Sequence, residues 1–382
     1  MSFIAILVLS AACVGFASPK GWSPPQFEDG NAFVFLDEGR LSALAFDETD
    51  NSRARELWRF PNDDVNPIED DIDLKAVYAP PIFVTIEGED FIILAAYSGD
   101  IVSITKDDGR YKPGLTGSWL INEGEIVGHA VVDEERLIFA TTEGRLYVRN
   151  VKDAEKTVDP WPVDGKDLGA AIWASPIISD GVVITATMKG AVQAFSLETG
   201  LPVWDAPFKK DSAIAVLALI NEDVLFVPGL GGIIDFIDVR SGQSIGQSFE
   251  TEGWVWAEPL VKDGILYFGD FAGNLYALDI TKGINVENQV WPPMFVGGKI
   301  KGKPVIIGQT LVLADEDATV HFIDIEKGII NYSFSLNDTS DIFASVVEYQ
   351  GFAWIVSENG ELFRADPEVN DVKEVSILKR SD

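Results

Sequence analysis

The stretch 188–204 reads MKGAVQAFSLETGLPVW, and the stretch 271–283 reads FAGNLYALDITKG. Both contain a glycine, an alternating apolar run, a short polar residue and a second turn. The first glycine of this pattern recurs along the chain, with alanine in one copy. The eight positions are Gly39, Gly99, Gly144, Gly190, Gly232, Gly273, Ala318 and Gly360. Their spacings are 60, 45, 46, 42, 41, 45 and 42 residues, and a period near 40–45 is typical of four-stranded propeller blades.

Three further positions keep register with this glycine. Seventeen residues upstream, an aromatic-small-x-Pro segment begins at Trp22, Trp173 and Trp256, with a degenerate copy at Phe343. The copy at Tyr78 lies 21 residues upstream, which indicates a four-residue insertion in the second repeat. Six residues downstream, seven repeats carry a short polar residue: Thr105, Asn150, Ser196, Asp238, Asp279, Asp324 and Asp366. Ten residues downstream, five repeats carry a second glycine: Gly109, Gly200, Gly242, Gly283 and Gly328.

This spacing predicts an all-β fold. Each repeat contains β-branched and aromatic runs that are broken by a glycine turn, which is the pattern of a hairpin. The polar residue can accept hydrogen bonds from backbone amides of the next turn, and a final strand carries Trp58, Trp119, Trp204 or Trp291. A single blade cannot bury both faces of its sheet, so neighbouring blades must stack and close a ring. We therefore predict an eight-bladed β-propeller of four-stranded antiparallel blades, with no substantial helix after residue 18.

Ring closure follows from the phase of the repeats. The chain enters the pattern with a first strand from Trp22 and leaves it with a fourth strand, KEVSIL, at 373–378. We expect each blade to be one uninterrupted segment. Packing between blades one and eight would then close the ring, without a shared blade.

The composition excludes several classes of partner. The chain of 382 residues has 61 acidic and 29 basic residues, for a formal charge of −32. Such a surface repels phosphate backbones and anionic membrane surfaces. We expect a soluble protein that does not bind nucleic acid, and the charge leaves open a basic partner or loose binding of divalent cations.

Cysteine and histidine are nearly absent. The single cysteine, Cys13, lies in the N-terminal apolar run, and the two histidines are His129 and His321. The chain therefore cannot form an internal disulfide, a thiolate zinc cluster, a c-type haem attachment or a multi-histidine metal site.

Residues 1–17 are typical of a signal peptide. The uncharged apolar run 3–16 is too short to span a bilayer but suits the core of an export signal. Cleavage before Ser18 fits the small residues Gly15 and Ala17. Alternatively, residues 9–13, LSAAC, resemble a lipobox with Cys13 as the lipidated mature N-terminus, although the leucine is one position too far upstream. We expect export in either case, with the propeller at 18–382 and membrane attachment only through a lipid on Cys13.

The repeat resembles that of pyrroloquinoline-quinone-like propellers, DG-x-L-Y-A-L-D-x-x-T-G-x-x-x-W, over residues 19–382. That resemblance implies the propeller fold, which serves both quinone-dependent dehydrogenases and non-catalytic scaffolds. The architecture is most similar to the BamB group, eight-bladed lipoproteins of the outer-membrane β-barrel assembly machinery. The resemblance to this group implies a location in the cell envelope and protein partners.

A quinone-dependent dehydrogenase is one alternative function. Dehydrogenases of this family hold calcium against the quinone and often carry adjacent cysteines, and this chain has no Cys-Cys pair. We interpret Asp238, Asp279 and Asp324 as turn caps. The acidic segment 62–73, NDDVNPIEDDID, lacks the spacing of an EF-hand loop, and we interpret it as a solvated connection, with a weak calcium or partner site as the alternative. We expect no quinone, haem or other cofactor, no catalytic residue and no metal ligand.

The candidate binding residues share the first-strand register. Trp22, Tyr78, Trp173, Trp256 and Phe343 could form a partial aromatic ring at the channel mouth, or could serve only to pack blades together. His129 falls two positions after the aromatic position of its repeat and is expected near the channel, whereas His321 is expected to pack within a strand. We predict an exported, monomeric scaffold for protein–protein interaction, with a quinone-dependent dehydrogenase and a carbohydrate-binding propeller as alternatives.

Overall fold

The computed structural model describes residues 21–37, 39–47, 50–62, 72, 74–111, 119–120, 124–336 and 340–379. Regular structure in these residues is strand throughout, apart from one three-residue 3₁₀ turn, Val286–Asn288. No helix in this part of the chain is long and apolar enough to cross a membrane. The strands form eight sheets, which confirms the predicted eight-bladed propeller.

Each blade takes its strands consecutively from the sequence. Blade one comprises Gln26–Glu28, Asn31–Asp37, Arg40–Phe46 and Arg53–Phe60, and blade two comprises Ile82–Ile86, Glu89–Ala95, Asp100–Thr105 and Trp119–Leu120. Blade three comprises Val131–Asp133, Arg136–Ala140, Arg145–Asn150 and Asp153–Thr157, and blade four comprises Ile177–Ser179, Val182–Ala186, Ala191–Ser196 and Phe208–Lys209. Blade five comprises Ala218–Asn221, Val224–Pro228, Ile233–Asp238 and Phe249–Glu250, and blade six comprises Leu260–Lys262, Ile265–Gly269, Asn274–Asp279 and Met294–Phe295. Blade seven comprises Val305–Ile307, Thr310–Ala314, Thr319–Asp324 and Ile329–Ser335, and blade eight comprises Val347–Tyr349, Phe352–Val356, Leu362–Asp366 and Asp371–Glu374.

Two short strands lie outside this plan. Lys166–Asp167 pairs with the third strand of blade three, beyond the part of that strand that pairs with Asp153–Thr157. Ser376–Leu378 pairs in parallel with the outermost strand of blade one. The four-residue insertion of the second repeat lengthens the first hairpin of blade two, Ile82–Ile86 and Glu89–Ala95.

The repeat glycine closes the central hairpin of each blade. In blade four, Ala186 pairs with Val192, and Gly190 between them has a φ of 78°. All seven repeat glycines have positive φ, and Ala318 follows them with a φ of 56°. Left-handed backbone is disfavoured for residues with a Cβ, which explains why glycine occupies this position in the other blades.

Apolar side chains fill the spaces between blades. The buried residues form eight clusters, and each cluster combines side chains from two consecutive blades, including blades eight and one. For example, Ala43 and Trp58 of blade one pack with Ile92 and Val102 of blade two. The core is therefore a ring of inter-blade layers, which makes each blade dependent on its neighbours.

Tryptophans tie neighbouring blades together by hydrogen bonds. The indole N–H of one blade donates to a backbone carbonyl at the end of the third strand of the next, at 2.9–3.3 Å; the pairs are Trp58–Lys106, Trp161–Leu197, Trp204–Val239 and Trp291–Ile325. Trp58 lies in a fourth strand as expected, whereas Trp204 and Trp291 lie just ahead of theirs. The side chain of Trp119 lies outside the described residues.

The second glycine of the repeat makes room for these indoles. A Cβ placed on Gly109, Gly242 or Gly328 would approach the indole of the preceding blade to 2.4–2.5 Å. Gly283 is the second glycine of blade six. The preceding blade, blade five, has no such tryptophan, and a Cβ on Gly283 would meet nothing within 4 Å. At these three interfaces the tryptophan and the glycine therefore form one motif that is shared between two blades, whereas a Cβ on Gly200 would approach the indole of Trp161 only to 3.9 Å.

The predicted turn caps are confirmed. Asp238 accepts hydrogen bonds from the backbone N–H and hydroxyl of Ser241. Asp279 accepts from the backbone N–H of Thr281, and Asp324 from those of Glu326 and Lys327. Hydrogen bonding with the adjacent Lys282 and Thr281 lowers the pKa of Asp279 to about 2.

Ring closure differs from the expectation. KEVSIL is not one fourth strand, because Asp371–Glu374 completes blade eight and Ser376–Leu378 crosses to blade one as its fifth strand. Val375 between them is buried, and Ile377 packs beside it against both blades. Blade one is therefore shared between the two ends of the propeller, which supplies backbone hydrogen bonds in addition to packing.

The glycine–tryptophan motif can be tested by adding one methyl group. We expect Gly242→Ala to lower the free energy of unfolding by about 1–3 kcal/mol more than Gly283→Ala, because both strain a positive-φ residue but only the first collides with an indole. Thermal and denaturant unfolding of both variants measure the difference. Equal destabilisation would show that backbone strain alone selects glycine at this position.

The fifth strand can be tested with a pair of adjacent substitutions. We expect Ile377→Ser to destabilise the propeller by about 1 kcal/mol, because it removes a half-buried side chain from the blade-eight and blade-one cluster. Leu378→Ser is the matched control, since that side chain is 69% exposed. Thermal unfolding of the two variants is the measurement, and equal midpoints would contradict a closing role for this strand.

Candidate functional site

The start of every blade contributes to one cavity on the propeller axis. Its volume is about 120 Å³. The lining residues come from the segment that leads into the first strand of each blade: Trp22, Pro24, Tyr78, Val127, Gly128, His129, Trp173, Ser175, Ala215, Val216, Trp256, Ala257, Glu258, Lys301, Phe343 and Ser345. We call this cavity the channel mouth. All six residues that were predicted to lie there line it; that they bind a ligand stays a prediction.

One wall of the channel mouth comes from blades eight, one and two. Trp22 packs against Tyr78 with ring centroids 4.2 Å apart and meets Phe343 edge-on at 5.6 Å. Tyr97 extends the wall, since its ring meets that of Tyr78 edge-on at 5.5 Å. All four rings are half-buried, and those of Trp22, Tyr78 and Phe343 line the cavity.

The second aromatic wall comes from blades four and six. Trp173 meets Trp256 edge-on at 5.8 Å, and Trp256 stacks on Phe271 at 6.0 Å. The two indoles belong to blades that flank blade five, where the first-strand register carries the small residues Ala215 and Val216. Small side chains in blade five leave the space in which these indoles meet.

Blade seven contributes a cation in place of an aromatic ring. The Nζ of Lys301 lies 3.7 Å from the ring centroid of Phe343 and 5.6 Å from that of Phe271, so it joins the two walls by cation–π contacts. The same ammonium lies 2.8 Å from a carboxylate oxygen of Glu316. Lys301 was not predicted as a site residue, although it lies seventeen residues before Ala318, in the register of the aromatic positions of the other blades.

The polar side of the channel mouth combines groups from five blades. The backbone N–H of His129 donates to Ser175 Oγ at 2.9 Å, and the backbone N–H of Lys303 donates to Ser345 Oγ at 3.1 Å. Glu258 and Lys303 form an ion pair at 3.8 Å. Neither Glu258 nor Lys303 was predicted as a site residue. Their ion pair joins blades six and seven, and the sequence of one repeat does not show which side chains of the next blade lie beside it.

Enclosure in the channel lowers the pKa of the His129 imidazole. Desolvation is the main cause, Lys303 acts in the same direction, and Glu258 opposes it. The other histidine, His321, lies in a blade-seven strand as predicted and is buried, with Nε2 3.0 Å from Asp315 and Nδ1 2.8 Å from Ser333 Oγ. It takes no part in the channel mouth.

Several predicted features lie outside the described residues. These are the leader 1–17 with Cys13, and the acidic segment 62–73 apart from residues 62 and 72. Among the residues that are described, no group of three or more His, Cys, Asp or Glu side chains could hold a metal ion.

The family follows from a match over most of the propeller. A family model described as "Outer membrane protein assembly factor BamB" matches residues 50–334, which is more than half of the chain. The chain belongs to the BamB family. Its repeats, its eight blades and this match agree with one another.

Individual relatives are distant. The BamB proteins of Moranella endobia (strain PCIT) and Burkholderia pseudomallei (strain K96243) are 23% and 19% identical over 54% and 64% of this chain. The chain spans only 53% and 63% of the length of these two curated relatives.

Solved structures support the fold. The crystal structure of BamB from Moraxella catarrhalis matches with a TM-score of 0.62 over 89% of this chain and 95% of that one, at 14% identity. The computationally designed Ika8 protein matches with a TM-score of 0.60 over 78% of this chain and 90% of its own, also at 14% identity. At 14% identity these structural matches show a shared propeller fold and nothing further.

The lowered pKa of His129 predicts a pH effect on stability. An imidazole whose pKa is lower in the folded state than its usual value near 6.5 costs stability as the pH falls below that value, because the unfolded chain binds the proton first. When the pH is lowered from about 7.5 to about 5.5, we expect the unfolding temperature of the His129→Gln variant to fall less than that of the native chain. Calorimetry at both pH values measures this, and parallel losses would contradict it.

Proposed function

We propose that this BamB-family propeller is a non-catalytic scaffold that binds other proteins in the cell envelope, as part of outer-membrane protein assembly. The family match over residues 50–334 carries this proposal. The relatives bear the name outer membrane protein assembly factor, and the proposal transfers that role to this chain.

The architecture suits a scaffold. Eight inter-blade clusters, four indole–carbonyl hydrogen bonds and a shared blade one fix the strands relative to each other. Loops between fixed strands keep a defined position while their sequences vary. A partner would therefore meet a pre-formed surface, which lowers the entropic cost of association.

The charge of the chain constrains the partner. A formal charge of −32 favours neutral or basic surfaces and repels acidic ones. If charge steers the encounter, association slows as salt rises, because the Debye length shrinks from about 10 Å at 0.1 M to about 3 Å at 1 M. The same charge opposes self-association, and we propose that the scaffold acts as a monomer.

The location belongs to the same proposal. Residues 1–17 would direct export to the periplasm or the outer surface, with mature chains that start at Cys13 or Ser18. A lipid on Cys13 would confine the scaffold to a membrane surface and raise its effective concentration near membrane-bound partners. Intact-mass analysis of protein from the native host distinguishes these two starts, because lipidation adds a large apolar mass.

The scaffold is tested by crosslinking in native envelope membranes, followed by pull-down and mass spectrometry. We expect β-barrel assembly components to co-purify with the native chain, and less of them as the salt concentration rises. Cys13→Ala is the control for the anchor, since it removes a lipid without touching the propeller. Recovery without assembly components would contradict the proposal, as would quinone- and calcium-dependent oxidation of alcohols or sugars in a dye-linked assay.

A further inference from the structure

The tryptophans whose side chains are described differ in what their indole N–H groups do. Five of them donate to backbone carbonyls: Trp58, Trp161, Trp204, Trp291 and Trp354, at 2.9–3.3 Å. Trp22, Trp173 and Trp256 at the channel mouth make no such bond to any described residue of the chain, and neither does Trp254, which is 42% exposed to solvent. Buried or half-buried indoles usually find an acceptor, so these three donors are available to a ligand in the cavity.

Hydroxyl groups add further donors beside these indoles. Ser175 Oγ and Ser345 Oγ each accept a backbone N–H, at 2.9 and 3.1 Å. A hydroxyl that accepts in this way still has its own proton to donate. The same cavity also contains hydrogen-bond acceptors. They are the carboxylate of Glu258 and the unprotonated nitrogen of the neutral His129 imidazole. The matching ligand both donates and accepts hydrogen bonds at several points.

Charge selects a neutral ligand. Lys301 is paired with Glu316, and Lys303 with Glu258. An anionic ligand would be repelled by a chain of net charge −32, and a cationic ligand would compete with Lys303 for Glu258, the one carboxylate among the described lining residues. The lowered pKa of His129 keeps that imidazole uncharged near neutral pH, which agrees with a neutral cavity.

The shape of the channel mouth adds flat apolar faces to these polar groups. Trp22 belongs to blade one, and Trp173 and Trp256 flank blade five, which is the opposite blade in a ring of eight. A pyranose ring has apolar C–H faces that stack on indoles and a rim of hydroxyls that donate and accept. We propose that the channel mouth binds a neutral saccharide, held between the Trp22 wall and the Trp173–Trp256 wall. This site goes beyond the proposed scaffold role and does not depend on it.

The test uses the purified protein with soluble neutral trisaccharides: chitotriose, cellotriose and maltotriose. We expect at least one of them to quench indole fluorescence and to show saturable binding in isothermal titration calorimetry. Trp173→Ala and Trp256→Ala should each weaken that binding about tenfold or more, because each removes a stacking face. Trp173→Phe and Trp256→Phe keep a ring but remove the N–H donor, and we expect them to weaken binding less than the alanine variants.

Trp254→Ala is the matched control. Trp254 lies two residues from Trp256 and is 42% exposed, but it does not line the channel mouth. We expect this variant to bind the saccharide as the native chain does. Circular dichroism and thermal unfolding verify that every variant retains the propeller.

The outcomes separate this inference from the scaffold proposal. The inference is overturned if none of the three saccharides binds, if the alanine variants of Trp173 and Trp256 bind unchanged, or if a neutral pentapeptide of serine and tyrosine competes better than the saccharides. Pull-down of assembly components is read independently. A failure of either experiment therefore leaves the other interpretable.

Discussion

An indole of one blade packs against a glycine of the next blade and donates its N–H to a nearby backbone carbonyl. This contact recurs at Trp58, Trp204 and Trp291, with Gly109, Gly242 and Gly328 beneath the rings. Each such hydrogen bond contributes about 0.5–1.5 kcal/mol, and the ring buries a large apolar surface. The contact joins consecutive blades at three of the eight interfaces, and apolar clusters between consecutive blades occur at all eight and complete the ring.

Closure then creates the channel mouth. Each first strand begins at the axis, so residues that are about 40 or more positions apart in the chain meet around one cavity. The aromatic rings there do not make the indole–carbonyl bond of the outer tryptophans. Tryptophan therefore serves two purposes in this chain: at the periphery it joins blades, and at the axis it forms a half-buried wall.

The shared blade adds a second kind of closure. Ser376–Leu378 contributes backbone hydrogen bonds to blade one, while Val375 and Ile377 pack between blades eight and one. The other seven interfaces form between blades that are already linked in sequence. The last interface joins distant parts of the chain, and the extra strand lowers the tendency of the ring to open there.

The sequence by itself determined the repeat, the number of blades and the turn chemistry. Gly190 and Asp238 could be interpreted locally, because a positive φ and a turn cap depend on only a few neighbouring residues. The same register placed Trp22, Tyr78, His129, Trp173, Trp256 and Phe343 at the channel mouth. Only the tertiary structure decided which of these side chains touch, since Trp173 and Trp256 meet across the small residues of blade five. It also decided the place of Lys301 between two rings and the crossing of 376–378 to blade one. Those contacts depend on how blades are angled and on which strand edge is free, and neither property is written in the local sequence.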